Sequence, residues 1–350
     1  MTDIDIYDLA ANVLSSITSA LNHSHYNELH GKLTISYSTK KEINASASVL
    51  SSPDQPPSHN IDISYLLLKT LYRDIELYFE YMESKLDDDL IMGIWPENNF
   101  FQNILSLTPK NECIKNVFIS AISWVYFHEF GHLSQEHGRI RGLQKGNRIN
   151  VISEMYVTRD STLSPQDSAV WHLTELAADY FATIMCVNEI RRHFGPSEVE
   201  QAITYLTIGL PLVLFRFQNT SFYINQDPPS GTHPNPLTRL EVVSPLIYEF
   251  LSEKNTDERK IIVNLCGVST FSVSLFWTRI VYKEPKYPRH FILSGIVHRN
   301  DILEYLSHLI PVWDNISKEV HNSFTFAPRF FIITFTNELR KHVKMATPPN

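Results

Sequence analysis

The stretch from residue 114 to residue 132 reads IKNVFISAISWVYFHEFGH. Its apolar residues recur every three or four positions, which is the spacing of one helix face that packs on a core. The members of this stripe are Ile114, Val117, Phe118, Ala121, Ile122 and Val125. His128, Glu129 and His132 continue the same face, so their side chains are predicted to point inward.

His128-Glu129-Phe130-Gly131-His132 matches H-E-x-x-H, in which two imidazoles one helical turn apart can bind one metal ion. Zinc accepts such nitrogens at about 2.0–2.1 Å and keeps one position for water in catalytic sites. Glu129 follows the first ligand directly and is placed to take a proton from that zinc-bound water. The motif therefore predicts a Zn2+ site with His128 and His132 as ligands and Glu129 as the general base of a peptide hydrolase.

A third ligand has to come from another part of the chain. The H-E-x-x-H-x-x-G-x-x-H proteases use the sixth residue after the second histidine, which is Gly138 here, so that class is excluded. Gly138 is instead predicted to end the helix, whose start is predicted at Thr108-Pro109.

Glu175 is the predicted third ligand. It lies on a helix predicted over residues 165–194, and this helix is apolar nearly all round from residue 173 to residue 187, as buried helices are. Asp179 lies one turn further along, and two buried acids at this spacing repel each other unless a cation lies beside them. Zinc bound by Glu175, with Asp179 accepting a hydrogen bond from a ligand imidazole, resolves the conflict. A polar edge of the helix that meets solvent is the alternative.

H-E-x-x-H followed on a later helix by E-x-x-x-D resembles the pattern of the gluzincin metalloproteases. His137, five residues after His132, is similar to the last histidine of H-E-x-x-H-x-x-x-x-H in the CAAX-prenyl protease and HtpX group. The resemblance implies a zincin-like metalloprotease core. That group spans membranes, so a soluble relative is implied here, and the phage-exclusion protease Lit is a looser comparison. Regulators of the ImmA/IrrE type share the two motifs but are shorter.

The segment GTHPNPLTRL at residues 231–240 is similar to a third motif of the prenyl protease group. Carried over by this resemblance, His233 and Arg239 are expected to steady the oxyanion of the tetrahedral intermediate, a role that requires preorganised donors. A capped turn before a helix is the alternative interpretation of the same residues.

Four basic residues follow the metal-binding motif: Arg139, Arg141, Lys145 and Arg148. They are close enough to the predicted cleft to attract acidic substrates, but a solvated loop is the favoured interpretation. The connection over residues 138–164 is long for a compact domain, so a lid or substrate-binding element is a hypothesis for it.

The predicted fold class is mainly α with a small N-terminal β element, and therefore α+β. Residues 33–37 alternate as a strand does, with a possible partner strand near residues 43–49. The Pro- and Ser-rich run at residues 51–60 is predicted to be a loop or linker. It divides the chain into an N-terminal part, residues 1–60, and a helical zincin-like metalloprotease domain, residues 61–350.

The composition narrows the classes of partner. A formal net charge of -8 argues against nucleic acid, which is bound by clustered Lys and Arg. The longest apolar stretch, residues 202–215, is shorter than the roughly 20 residues of a membrane span, so no membrane insertion is predicted. Cys113, Cys186 and Cys266 are odd in number and widely spaced, as in reduced cytoplasmic proteins.

Two functions remain open at this stage. The first is a cytoplasmic zinc metalloendopeptidase that acts on a protein or peptide substrate. The second is a non-catalytic or regulatory module, such as an ImmA/IrrE-like regulator or a phage-defence component, in which zinc only fastens two helices together. The sequence leaves the substrate, the activating signal and the oligomeric state open.

Overall fold

The computed structural model describes residues 1–96, 105–142, 149–153, 163–217, 228–251, 256–283, 295–323 and 331–346. The helices are α1 (Asp3–Leu21), α2 (Tyr65–Ser84), α3 (Asp88–Ile94), α4 (Lys110–Ser134), α5 (His137–Gly142), α6 (Pro165–His193), α7 (Pro196–Phe217), α8 (Pro236–Leu251), α9 (Thr256–Phe276), α10 (Asn300–Ser323) and α11 (Asn337–Ala346). The strands are β1 (Lys32–Ser38), β2 (Ala45–Val49), β3 (Ser58–Ser64) and β4 (Val151–Ser153). The predicted α+β class, mostly helical with a small sheet, is confirmed.

Helix α4 carries the H-E-x-x-H motif. Every member of the predicted apolar stripe is buried, and from Trp124 to Ser134 the helix is buried on all sides. The predicted start is right to within one residue, but the predicted end at Gly138 is wrong. The helix stops at Ser134, and Glu136 then adopts a left-handed backbone conformation with φ 49°, which turns the chain into α5.

Helix α6 crosses α4 and carries the two predicted acids. It begins at Pro165, where the Ser164 hydroxyl accepts a hydrogen bond from the Asp167 backbone N–H, and it is buried almost continuously from Ser168 to Val187. Residues near its start pack against α10 in one hydrophobic cluster, and residues after Phe181 belong to the larger cluster around α4 and α7. The acids of α6 therefore lie at the junction of the two clusters.

The four strands form one mixed sheet in the order β1-β3-β2-β4. The predicted pairing of β1 with β2 is wrong, because β3 lies between them, parallel to β1 and antiparallel to β2. Residues 58–60 of the predicted linker and residues 61–64 of the predicted helix form this strand. Its burial alternates at His59, Ile61 and Ile63, which is a strand pattern that the preceding prolines obscured.

The predicted boundary between residues 60 and 61 lies inside β3. Residues on both sides of it contribute to the larger hydrophobic cluster, among them Leu33 of β1 and Leu67 of α2. The division of the chain into two parts remains a prediction. Most of the hypothetical lid, together with Lys145 and Arg148, lies outside the described residues.

Two helices within the described ranges have the length and composition of a membrane span, at residues Glu198–Phe217 and Arg259–Val281. In each of them 78% of the hydrophobic window is buried inside the protein. The first contains residues 202–215, the apolar stretch for which the sequence predicted no membrane insertion. Both helices pack as core helices in this fold.

The crossing of α4 and α6 at the motif requires a glycine. A β-carbon on Gly131 would lie 3.2 Å from the Ala178 Cα and 3.2 Å from the Phe181 Cδ1. Gly131→Ala is therefore expected to lower the free energy of unfolding by about 1–3 kcal/mol, because the two helices have to separate. Urea denaturation monitored by circular dichroism would measure the change.

Gly93→Ala is the matched control, because no atom lies within 4 Å of the added carbon in the exposed helix α3. It is expected to stabilise the protein slightly, by less than about 1 kcal/mol, through the higher helix propensity of alanine. Equal stability of Gly131→Ala and the wild type would contradict the close approach of α4 and α6.

Candidate metal centre

His128 and His132 of α4 face Glu175 of α6 in the interior of the protein. The two His Nε2 atoms are 3.0 Å apart. The Glu175 Oε2 lies 3.4 Å from the His128 Nε2, and the Glu175 Oε1 lies 3.5 Å from the His132 Nε2. All three residues are at most 1% exposed. One ligand atom from each lies within 4.8 Å of the others, so this group could hold a metal ion.

Glu129 is also fully buried and lies next to His128 on α4. It is not a member of the three-residue group that could hold a metal ion, and its role as the general base remains a prediction. The motif thus separates two kinds of residue. His128 and His132 face the carboxylate of α6, whereas Glu129 occupies the adjacent helical position.

Asp179 and Arg239 form a buried ion pair behind His128. The Asp179 Oδ1 lies 2.9 Å from the His128 Nδ1. From α8, the Arg239 guanidinium donates two hydrogen bonds of 2.7 Å to the Asp179 carboxylate, through its Nε and Nη2. The Arg239 Nη2 is also 3.6 Å from the Glu175 Oε2. Arg239 therefore lies beside two carboxylates. Its planar guanidinium binds both oxygens of Asp179 and is also close to Glu175.

His233 lies on the loop before α8 and reaches the same site. Its Nε2 is 3.5 Å from the Glu175 Oε1, and its Nδ1 is 2.8 Å from the Thr232 hydroxyl. The structure thus brings together four side chains from α4, α6 and this loop: His128, His132, Glu175 and His233. His233 is outside the group whose ligand atoms are mutually close, so it is a neighbour of the three candidate ligands.

The loop that carries His233 is held by His172, which the sequence interpretation did not identify. The His172 Nε2 lies 3.2 Å from the Ser230 carbonyl oxygen, and its Nδ1 lies 2.9 Å from the Tyr305 hydroxyl. Because a carbonyl only accepts, the Nε2 carries the proton and the Nδ1 accepts from Tyr305. Burial, with a smaller electrostatic contribution from His233, lowers the pKa of His172 to about 3. This histidine is therefore neutral at ordinary pH.

Arg141 is the clearest correction to the sequence interpretation, which favoured a solvated loop. It belongs to α5 and is 3% exposed. Its Nη2 donates a 2.5 Å hydrogen bond to the Glu175 Oε1, and its Nε donates a 2.8 Å bond to the Thr174 hydroxyl. The guanidinium also lies 4.2 Å from the centroid of the Trp171 ring. Arg139, in contrast, is partly exposed and pairs with Glu136 and Glu319.

His137, also on α5, contacts His132, the second histidine of the H-E-x-x-H motif. The two Nδ1 atoms of His132 and His137 are 2.8 Å apart, and the His137 Nε2 lies 3.3 Å from the Gln135 Oε1. Burial, followed by the electrostatic effects of His132 and Arg141, lowers the pKa of His137 well below its usual range. His137 is therefore a neutral imidazole in contact with a candidate ligand.

The charges of the site change one step of the sequence argument. Glu175 and Asp179 were expected to need a metal ion because α6 offers no nearby cation. The structure supplies two cations from other elements, Arg141 of α5 and Arg239 of α8. The support for a metal ion therefore comes from the convergence of two imidazoles and a carboxylate, and no longer from unpaired acids.

The buried Asp179–Arg239 pair gives a test of this arrangement. Arg239→Met is expected to lower the free energy of unfolding by about 3–5 kcal/mol, because it leaves a buried carboxylate without its partner. Asp179→Asn combined with Arg239→Met is expected to lose less than the sum of the two single changes, because the residues interact directly. Urea denaturation of the four proteins provides the double-mutant cycle.

Arg340→Met is the matched control, since Arg340 makes the same two-bond contact with Asp314 at the protein surface. Its expected cost is below about 1 kcal/mol, as for exposed ion pairs. If Arg340→Met and Arg239→Met lowered the free energy of unfolding by similar amounts, burial of the Asp179–Arg239 pair would not be the reason for its contribution to stability.

The comparisons with known proteins give one match. The family described as Peptidase U49 matches residues 69–254, which is just over half of the chain and includes every predicted site residue. No curated protein and no solved structure matches. The family is Lit-like, in agreement with the looser of the two resemblances, and the match gives no link to the CAAX-prenyl protease and HtpX group. The chain belongs to the Peptidase U49 family and is a member of a peptidase family.

Proposed function

We propose that this protein is a zinc-dependent endopeptidase, with His128, His132 and Glu175 as the metal ligands and Glu129 as the general base. The observation that carries the proposal is the buried group of two imidazoles and one carboxylate in a chain of a peptidase family. Two His and one Glu, with a fourth position for water, is a ligand set of catalytic zinc sites.

The dimensions of the group fit zinc. Ligand bonds of about 2.0–2.1 Å in a tetrahedron place ligand atoms about 3.3–3.4 Å apart. The measured separations among the three side chains are 3.0, 3.4 and 3.5 Å, so little movement is needed to bind the ion. Oxygen-only ligand sets suit Mg2+ and Ca2+, whereas two imidazoles with one carboxylate suit zinc.

A zinc ion bound here would polarise the scissile carbonyl and lower the pKa of water toward about 7. Glu129 accepts the proton of the attacking water and later donates it to the leaving amine. The Asp179 carboxylate lies 2.9 Å from the His128 Nδ1 and would orient that ring, while Arg239 holds Asp179 by two hydrogen bonds. His233 steadies the oxyanion, and Arg239 adds positive charge behind it.

The same proposal extends to the fold and the setting of the enzyme. We propose a zincin-like core built on α4 and α6, an assignment that the ligand pattern supports. The substrate is a protein or peptide, as membership of a peptidase family implies. We place the protein in the cytoplasm without membrane insertion, because its three cysteines are odd in number and widely spaced in the sequence, and 78% of each membrane-length window is buried.

One observation favours the alternative, a non-catalytic module in which zinc only joins two helices. His128, Glu129, His132 and Glu175 are each at most 1% exposed, and full burial is common in structural sites. Glu129 distinguishes the two functions. A structural site gives no role to a buried carboxylate beside the ligands, whereas hydrolysis requires a base at that position.

Glu129→Gln tests the proposal. The variant is expected to bind about one equivalent of zinc, as the wild type does, and to lose at least about 10²–10⁴-fold in proteolysis, because the amide cannot accept the proton. Zinc content is measured by elemental mass spectrometry. Cleavage is measured by mass spectrometry on a proteome-derived peptide library and on intact proteins.

Glu136→Gln is the matched control, since Glu136 is a nearby carboxylate that pairs with Arg139 on the surface side of α5. It is expected to retain both zinc and activity. Zinc bound to the wild type without cleavage of any substrate would favour the non-catalytic module, and full activity of Glu129→Gln would remove Glu129 from the mechanism.

A further inference from the structure

We propose that α5 is a positioning element of the metal site, in which His137 orients His132 and Arg141 orients Glu175. This inference rests on the proposed metal site and adds to it two residues that bind no metal. Both lie on a helix of six residues that begins directly after the turn at Glu136. They are four residues apart, so they project from one face of α5.

The first contact determines which nitrogen of His132 is available. The amide oxygen of Gln135 can only accept, so the His137 Nε2 carries a proton and the His137 Nδ1 accepts. The partner of that Nδ1 is the His132 Nδ1, at 2.8 Å, which therefore carries the other proton. The lone pair of His132 is then on its Nε2, the atom that faces His128 and Glu175.

The second contact determines how Glu175 is presented. Arg141 donates to the Oε1 of Glu175 and is itself held by the Thr174 hydroxyl and the Trp171 ring. The guanidinium thus fixes the carboxylate in one orientation, with its Oε2 directed toward the His128 Nε2.

The position of α5 is itself constrained. The Ile149 backbone N–H donates to the Gly138 carbonyl, and a β-carbon on Gly138 would lie 2.0 Å from the Ile149 carbonyl oxygen. Ile140 packs into the hydrophobic cluster shared by α6 and α10. These contacts hold the helix against α6, so His137 and Arg141 are supported by packing and not only by their hydrogen bonds.

Zinc affinity measures the proposed role directly. We expect His137→Phe and Arg141→Met each to weaken zinc binding by about 10–100-fold, the usual effect of losing a partner of a metal ligand. Affinity is measured on the purified full-length protein by competition with a chromophoric chelator. Urea denaturation of the metal-free proteins is measured in parallel. It shows whether a variant with weaker zinc binding also has a lower free energy of unfolding.

Arg139→Met is the control, because Arg139 lies on the same helix and pairs with surface glutamates. It is expected to leave zinc affinity within twofold of the wild type.

Two conservative variants distinguish positioning by hydrogen bonds from packing of the side chain. His137→Gln retains an acceptor and is expected to bind zinc more tightly than His137→Phe, and Arg141→Lys is expected to bind more tightly than Arg141→Met.

The outcomes separate this inference from the proposal on which it rests. A wild-type protein that binds no zinc overturns both. A wild type that binds zinc, with His137→Phe and Arg141→Met within threefold of it, overturns the role of α5 and leaves the metal site intact. Equal affinities within each pair, glutamine with phenylalanine and lysine with methionine, also overturn it, because the hydrogen bonds would then have no part in zinc binding.

Discussion

Two carboxylates, Glu175 and Asp179, lie in the fully buried centre of this protein, where an uncompensated charge costs several kcal/mol. The surrounding fold is arranged to compensate them. Arg141 reaches Glu175 from α5, and Arg239 reaches Asp179 from α8. Because these elements are separated in sequence, the site forms only when they all pack against α6. The stability of the fold and the geometry of the site therefore depend on the same contacts.

The contacts that support the site extend beyond residues 69–254, the part of the chain that matches the family. The match ends at residue 254, whereas Tyr305 on α10 bonds to His172, which in turn holds the backbone of the loop that carries His233. Residues of α10 also pack against the first part of α6. Helix α10 thus has a structural role at the site, because it holds His172 and packs against the part of α6 that precedes Glu175 and Asp179.

The sequence predicted the parts of the site that depend on local spacing. His128 and His132 are four residues apart, as are Glu175 and Asp179, and a helix places residues at this separation on one face. The apolar patterns predicted which faces of α4 and α6 are buried. The arginine partners could not be predicted in this way, because they depend on how separate helices pack. Arg141 had one usable signal, its four-residue separation from His137, but the assumed helix end at Gly138 concealed it. Strand β3 was missed for a related reason, since neighbouring prolines outweighed an alternating pattern of three residues.

The arginines also bear on catalysis. Three buried carboxylates, on Glu129, Glu175 and Asp179, are matched by two buried guanidiniums, on Arg141 and Arg239, which leaves one negative charge when the histidines are neutral. Binding of the proposed divalent ion would change this sum to one positive charge among fully buried side chains. Such an excess favours a reaction in which negative charge develops on a peptide carbonyl oxygen, because preorganised positive charge stabilises that transition state. The cations that make the buried acids tolerable therefore also make the site suited to peptide hydrolysis.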